Sequence, residues 1–245
     1  MWVSIVCIRP HLRHYIDMSM HYSLPLLSTV ELESIEQKVQ QDYALIPLTT
    51  IDIETDTSNG GGLDPLHSKV VAVSIAYSDN EEVVVLDSSS EEEILSSLDA
   101  LIASRKGLLV TWNGSGFDMP FLHKRYVATG VSTGLRVLVD PSIPSKYPTN
   151  QGLGPPVRVS WHSAAHVDIA NIYSQFALDA KIKWSLKNVA KHLGYTPVEV
   201  DRERIHALSP QELREYVASD AAVTLQLAML LRPQVLLKAV LSTVA

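Results

Sequence analysis

Leu48-Thr49-Thr50-Ile51-Asp52-Ile53-Glu54-Thr55-Asp56 decides how the rest of the chain is read. The stretch opens apolar and β-branched, which predicts a buried strand over about 48–54. Asp52 and Glu54 stand two residues apart, and side chains at i and i+2 of a strand leave the same face. Two carboxylates are thereby held side by side among hydrophobic neighbours. Bare and buried, they would repel each other and lose their hydration. A divalent cation removes that cost, and an oxygen-only donor set suits Mg²⁺ or Mn²⁺ better than zinc. Taken alone, Asp-x-Glu reads more simply as a polar strand end facing water. Acids further along the chain decide between the two.

A chain of 245 residues is long enough for one large α/β domain, or for a domain with an extension. Its 46% hydrophobic and 19% charged content is globular and supplies a sizeable core. The single cysteine, Cys7, excludes an intramolecular disulfide and a thiolate metal site. That fits a reducing, cytoplasmic setting. No apolar run reaches membrane-spanning length, so no membrane partner is expected. The apolar start Met1–Ile8 lacks both a basic opening and a small-residue cleavage site, so no secretion signal is expected either. A net charge of −7 argues against a general polyanion-binding surface. It leaves nucleic acid open as a substrate, because an acidic pocket that recruits divalent ions becomes locally positive.

Residues 1–30 show no clean period. Ser28 or Thr29 could cap a peripheral helix from about Val30 to Asp42, and residues 1–44 read as an N-terminal extension to a domain over 45–245. After the first strand comes turn chemistry, Ser58 through Pro65. Lys69–Tyr77 and Glu82–Leu86 are β-branched runs separated by a hairpin signal, which predicts three consecutive antiparallel strands. Glu91–Ser104 places Ile94, Leu95, Leu98, Leu101 and Ile102 at helical spacing, with Lys106-Gly107 ending it. Leu108–Trp112 is a further buried strand.

Asp118 then reads as a helix N-cap, with Pro120 in the first turn and Phe121, Leu122 and Tyr126 on one face. Residues 129–162, rich in Gly, Pro and Ser, read as a long irregular connection with a short strand near Leu135–Val139. Ala165–Ile169 reads as a strand leading into a helix through Phe176. Ser185–Leu193 reads as a helix closed by Gly194. Ser209-Pro210-Gln211-Glu212 is a capping box opening a long helix to about Leu231, where Pro233 breaks or kinks it. This order predicts an α/β fold with a mixed sheet of about five strands flanked by helices.

Two further motifs join the opening pair. Asn113-Gly114-Ser115-Gly116-Phe117-Asp118-Met119-Pro120 places an acid after a glycine-bearing turn. Its Gly-x-Gly lacks the third glycine and acidic partner of a dinucleotide loop. Tyr216 and Asp220 lie four apart on the long helix and share a face. Asp168, at a strand end, reads as a cap for the following helix rather than a further acid of the site. Taken singly, Asp118 is a cap and Tyr216 with Asp220 a helix surface.

Together, and in this order, Asp-x-Glu, Asn-Gly-x-x-Phe-Asp-x-Pro and Tyr-x-x-x-Asp resemble the DEDD superfamily of 3′–5′ exonucleases. The match is to its tyrosine-bearing branch, as in the proofreading domain of family-B DNA polymerases. The resemblance covers roughly residues 47–232 and implies a ribonuclease H-like fold. It also implies that Asp52, Glu54, Asp118 and Asp220 hold two Mg²⁺ or Mn²⁺ ions about 3.5–4 Å apart. One ion would activate the attacking water and the other would ease departure of the 3′ oxygen. Tyr216 would orient that water; an ordinary phenol pKa near 10 makes it a poor base at neutral pH. Asn113 and Phe117 would seat the terminal nucleotides, with Ile53 and Thr55 beside them and Leu63 stacking on the last base.

The implied partner is a nucleic acid with a free 3′ end, single-stranded DNA ahead of RNA. A 3′–5′ exoribonuclease, a non-catalytic nucleic-acid-binding module of the same fold and a phosphodiesterase for small nucleotides are the alternatives. Repair, recombination and end trimming are all compatible. The chain departs from the family pattern at Ser115-Gly116, which adds freedom just before Phe117, and in 129–162. Basic positions His123, Lys124 and Arg125, and Lys181, Lys183 and Lys187, read as solvated faces rather than phosphate contacts.

Overall fold

A computed structural model describes residues 46–56, 58, 63–80, 82–140, 143, 156–200, 208–232, 234–236 and 238–239. The helix expected over 30–42 lies outside them. The opening stretch forms β1 (Leu48–Thr55). Next come β2 (Val70–Tyr77) and β3 (Val83–Leu86), the two β-branched runs, each antiparallel to its predecessor. Helix α1 (Glu91–Ser104) starts at Ser90, whose hydroxyl accepts the Glu93 N–H, and leads to β4 (Leu108–Thr111). β4 lies parallel to β1 on its other side.

Helix α2 spans Asp118–Thr129 and ends on Gly130, whose φ of 73° is the left-handed conformation that favours glycine. Beyond it the chain forms β5 (Leu135–Val139), β6 (Val157–Trp161) and β7 (Ala164–Asp168). Three helices follow: α3 (Ser174–Asp179), α4 (Leu186–His192) and α5 (Pro210–Leu230). The capping box expected at Ser209 and Glu212 is formed, each side chain accepting from the other residue's backbone N–H.

Among the described residues, seven strands make one mixed sheet in the order β3-β2-β1-β4-β7-β6-β5. Two more strands are present than the five expected, because 129–162 is not wholly irregular. β5 lies where the short strand was read, and β6 pairs antiparallel with both β5 and β7. Val157-Arg158-Val159-Ser160-Trp161 does alternate, but the Pro- and Gly-rich residues before it mask a strand whose partners supply most of its stability.

β1 divides the core between its two faces. Ile51 and Ile53 pack with Leu95, Leu98, Met119 and Phe121 toward α1 and α2. Leu48 joins Val110, Val167, Val223 and Leu227 on the α5 side. Period two puts Thr50, Asp52 and Glu54 on the α5 side as well. There the Thr50 hydroxyl donates to the Ala221 carbonyl at 2.9 Å and ties α5 across β1. The sheet centre therefore presents the two acids of β1 directly to α5.

Candidate active site

Carboxylate oxygens of Asp52, Glu54 and Asp220 lie within 4.8 Å of one another. Asp220 is buried, and the two strand acids are partly exposed. Helix α5 delivers Asp220 because Val217, Ala221 and Thr224 bury the same helical face against the sheet. Tyr216, one turn earlier, is buried with it, packed near Ala72 of β2. A register shift between Glu54 and Thr55 interrupts the β1–β2 ladder just beyond the acids.

Asp118 is not the N-cap that its sequence suggested. Phe117 holds that position and Asp118 is the first helical residue. Its Oδ1 instead accepts the backbone N–H of Ile53 at 3.3 Å, which brings the α2 start against β1 between the two strand acids. Burial pushes the Asp118 carboxyl up to about 7; nearby Asp168 adds to this, and N–H donors oppose it. Asp52 is pushed well above the usual carboxylate range by burial, then by the charges of Asp220, Asp118 and Glu54, with Lys187 opposing. Asp52, Glu54 and Asp220 thus converge, and Asp118 is held against the strand that carries two of them.

The donor set is oxygen only, and the carboxyls of Asp52 and Asp118 strain toward the neutral form unless positive charge is supplied. Those are the properties a hard divalent cation requires of its ligands. Asp52, Glu54 and Asp220 fit such an ion through the spacing of their oxygens, and Asp118 stands beside them.

Lys187 is the residue that sequence reading undervalued. Its ammonium lies 3.3 Å from Asp220 Oδ1 and 3.9 Å above the centroid of the Tyr216 ring, and donates to the Val198 carbonyl at 2.8 Å. Lys181 and Lys183 are exposed, as expected of a solvated face. Nothing in the local pattern separates these three lysines; only the docking of α4 beside α5 does. Arg125 also departs from the solvated reading. It is buried and paired with Glu91, and it donates to the Pro65 carbonyl at 2.7 Å.

The turn before α2 is held firmly despite its two glycines. Asn113 is left-handed, with φ of 64°. Asp168 accepts its N–H at 2.9 Å and that of Ser115 at 3.0 Å, and also binds the Ala170 N–H at 3.0 Å. It clamps the turn rather than capping the next helix. Gly114 is required by closeness, since a Cβ there would meet Thr111 Oγ1 at 2.2 Å. Val157 of β6 donates to the Ser115 carbonyl at 2.9 Å, so the added hairpin also steadies the turn. Asn113 and Phe117 are partly exposed beside it, and Leu63 is 37% exposed beyond β1. Ile53 and Thr55 are buried, so their side chains are not offered at the surface.

Fold and site together define a ribonuclease H-like domain of the polymerase-exonuclease type. A family described as predicted 3′–5′ exonuclease related to the exonuclease domain of PolB matches residues 63–236, and the chain belongs to it. The matched span holds Asp118, Tyr216 and Asp220; the Asp52–Glu54 strand stands just before it. The chain is 26% identical over 157 residues to the catalytic polypeptide of DNA polymerase epsilon from Saccharomyces cerevisiae, a match over 62% of this chain and 6% of that protein. It also resembles the solved family B DNA polymerase of Pyrobaculum calidifontis, with a TM-score of 0.57 and 22% identity over 77% of this chain and 25% of the other. That likeness concerns the fold. No helix among the described residues is long and apolar enough to cross a membrane.

Proposed function

We propose that this protein is a metal-dependent 3′–5′ exonuclease that removes nucleotides from the 3′ end of single-stranded DNA. The observation that carries this reading is the convergence of Asp52, Glu54 and Asp220 on one point, with Asp118 alongside. Asp52, Glu54, Asp118 and Asp220 would hold two Mg²⁺ or Mn²⁺ ions. Bound there, such ions supply Lewis acidity to water and phosphate at neutral pH.

The chain's own residues supply placement. Tyr216 points its phenol along the same helical face as Asp220 and orients the attacking water. Lys187 sets charge and position at the Tyr216–Asp220 pair. Asn113 and Phe117, on the clamped turn, seat the terminal nucleotides, and the backbone at Ile53 and Thr55 lines the same groove. Leu63 stacks on the last base. Residues 45–245 form the exonuclease domain in this reading, with 1–44 as an extension.

The test uses matched 5′-labelled DNA and RNA oligomers with Mg²⁺, Mn²⁺ or EDTA. Stepwise shortening from the 3′ end is expected only with cations, and faster on DNA. Asp52→Ala should lower turnover by orders of magnitude while the circular dichroism spectrum is unchanged. Preference for RNA would make the protein an exoribonuclease. Tight binding without cleavage of either polymer would make it a binding module.

A further inference from the structure

Ser74 is fully buried on β2, and its hydroxyl has no hydrogen-bond partner among the described residues. A buried hydroxyl in that state costs stability, and alanine would fill the position without the cost. Register fixes what it faces. Ser74 stands directly opposite Asp52 across the antiparallel β1–β2 pair. Opposed residues leave the same face of the sheet, with Cβ atoms about 4.5–5.5 Å apart.

The flanking contacts locate this pair under α5. Two residues before Ser74, Ala72 packs against Tyr216 and Val217. Two residues before Asp52, Thr50 bonds to the Ala221 carbonyl. Ser74 and Asp52 lie between those contacts, beneath the turn that carries Asp220. The orphaned hydroxyl therefore belongs to the acid site and not to the apolar core.

We propose that Ser74 is a positioning residue for the cation centre, its Oγ–H donating to the Asp52 carboxylate when cations are bound. A serine hydroxyl needs only a rotation about χ1 to change partners, so the backbone need not move. One Asp52 oxygen held by Ser74 leaves the other aimed at the cation. The inference rests on the reading of this site as a divalent-cation centre.

The full chain and its Ser74→Ala variant are titrated with Mn²⁺ by calorimetry without nucleic acid, and melted in EDTA. The variant should bind Mn²⁺ about tenfold more weakly, the scale of a lost partner to a ligand. In EDTA its Tm should equal or exceed that of the parent. Unchanged Mn²⁺ affinity overturns the proposal. So does a Tm several degrees lower in EDTA, which would show that the hydroxyl already has a partner without cations. A parent chain that binds no Mn²⁺ overturns the cation-centre reading itself, and this inference with it.

Discussion

Three backbone N–H groups, from Asn113, Ser115 and Ala170, converge on Asp168, which is 5% exposed. Burial raises its carboxyl above the usual range, and those donors, together with Lys238, oppose the rise. A carboxylate can serve all three N–H groups, whereas an amide offers acceptors on one oxygen only. Asp168→Ala should destabilise the chain by about 3 kcal/mol, the scale of buried donors left unpaired. Asp168→Asn should lose roughly half as much, because Oδ1 already accepts from both Asn113 and Ala170. Urea denaturation of both variants measures this. Equal stability of Asp168→Ala and the parent would mean that the turn is held by other contacts. Since that turn leads directly to Phe117 and Asp118, a residue outside the acid set fixes where one of its members sits.

Elements are joined by a second buried polar group. Glu91 opens α1 and Arg125 lies on α2; they face each other at 3% and 8% side-chain exposure. Glu91 Oε1 also accepts the Val70 N–H at 2.8 Å, at the start of β2, and Arg125 holds Pro65 in the loop after β1. Two helices, the later part of that loop and the start of β2 are thus tied at one point. Arg125→Met should cost about 3–5 kcal/mol, because Glu91 would remain buried without its partner. Adding Glu91→Gln should recover part of the loss, since the amide oxygen can still accept from Val70. A urea series on the single and double variants reads the difference; a double variant weaker than the single would reject the pairing logic. The β5–β6 hairpin is fastened in a similar way. Asp99 of α1 accepts from Thr133, Gly134, the Trp161 indole and the ring of His162.

For the whole molecule, the cost of the acid cluster should be visible as pH dependence. The Asp118 carboxyl lies near 7 when folded against an ordinary value of 3.8, and Asp52 is shifted in the same direction. Over that window the folded chain binds more protons than the unfolded one, so stability falls as pH rises. Melts in EDTA should give a Tm that declines from pH 5 to pH 7.5 on account of these groups. Mg²⁺ or Mn²⁺ should raise Tm more at pH 7.5 than at pH 5, since protons and cations compete for the same oxygens. A metal-induced gain independent of pH would argue that cations bind elsewhere.

The strand carrying Asp52 and Glu54, the helix over 91–104 and the capping box at Ser209 were legible in the sequence. Each is written in a local period or a cap a few residues long. The order of the three acidic motifs also sufficed to place the chain in its family. Tertiary structure alone decided the remainder. Lys187 and Lys183 carry the same charge four residues apart, yet only docking against α5 sets one over Tyr216. Arg125 looked solvated because its burial depends on Glu91, thirty-four residues earlier in the chain. β6 looked irregular because its strand character comes from β5 and β7. Ser74 faces Asp52 only through strand register. These features depend on contacts between residues distant along the chain, which a reading of local spacing does not contain.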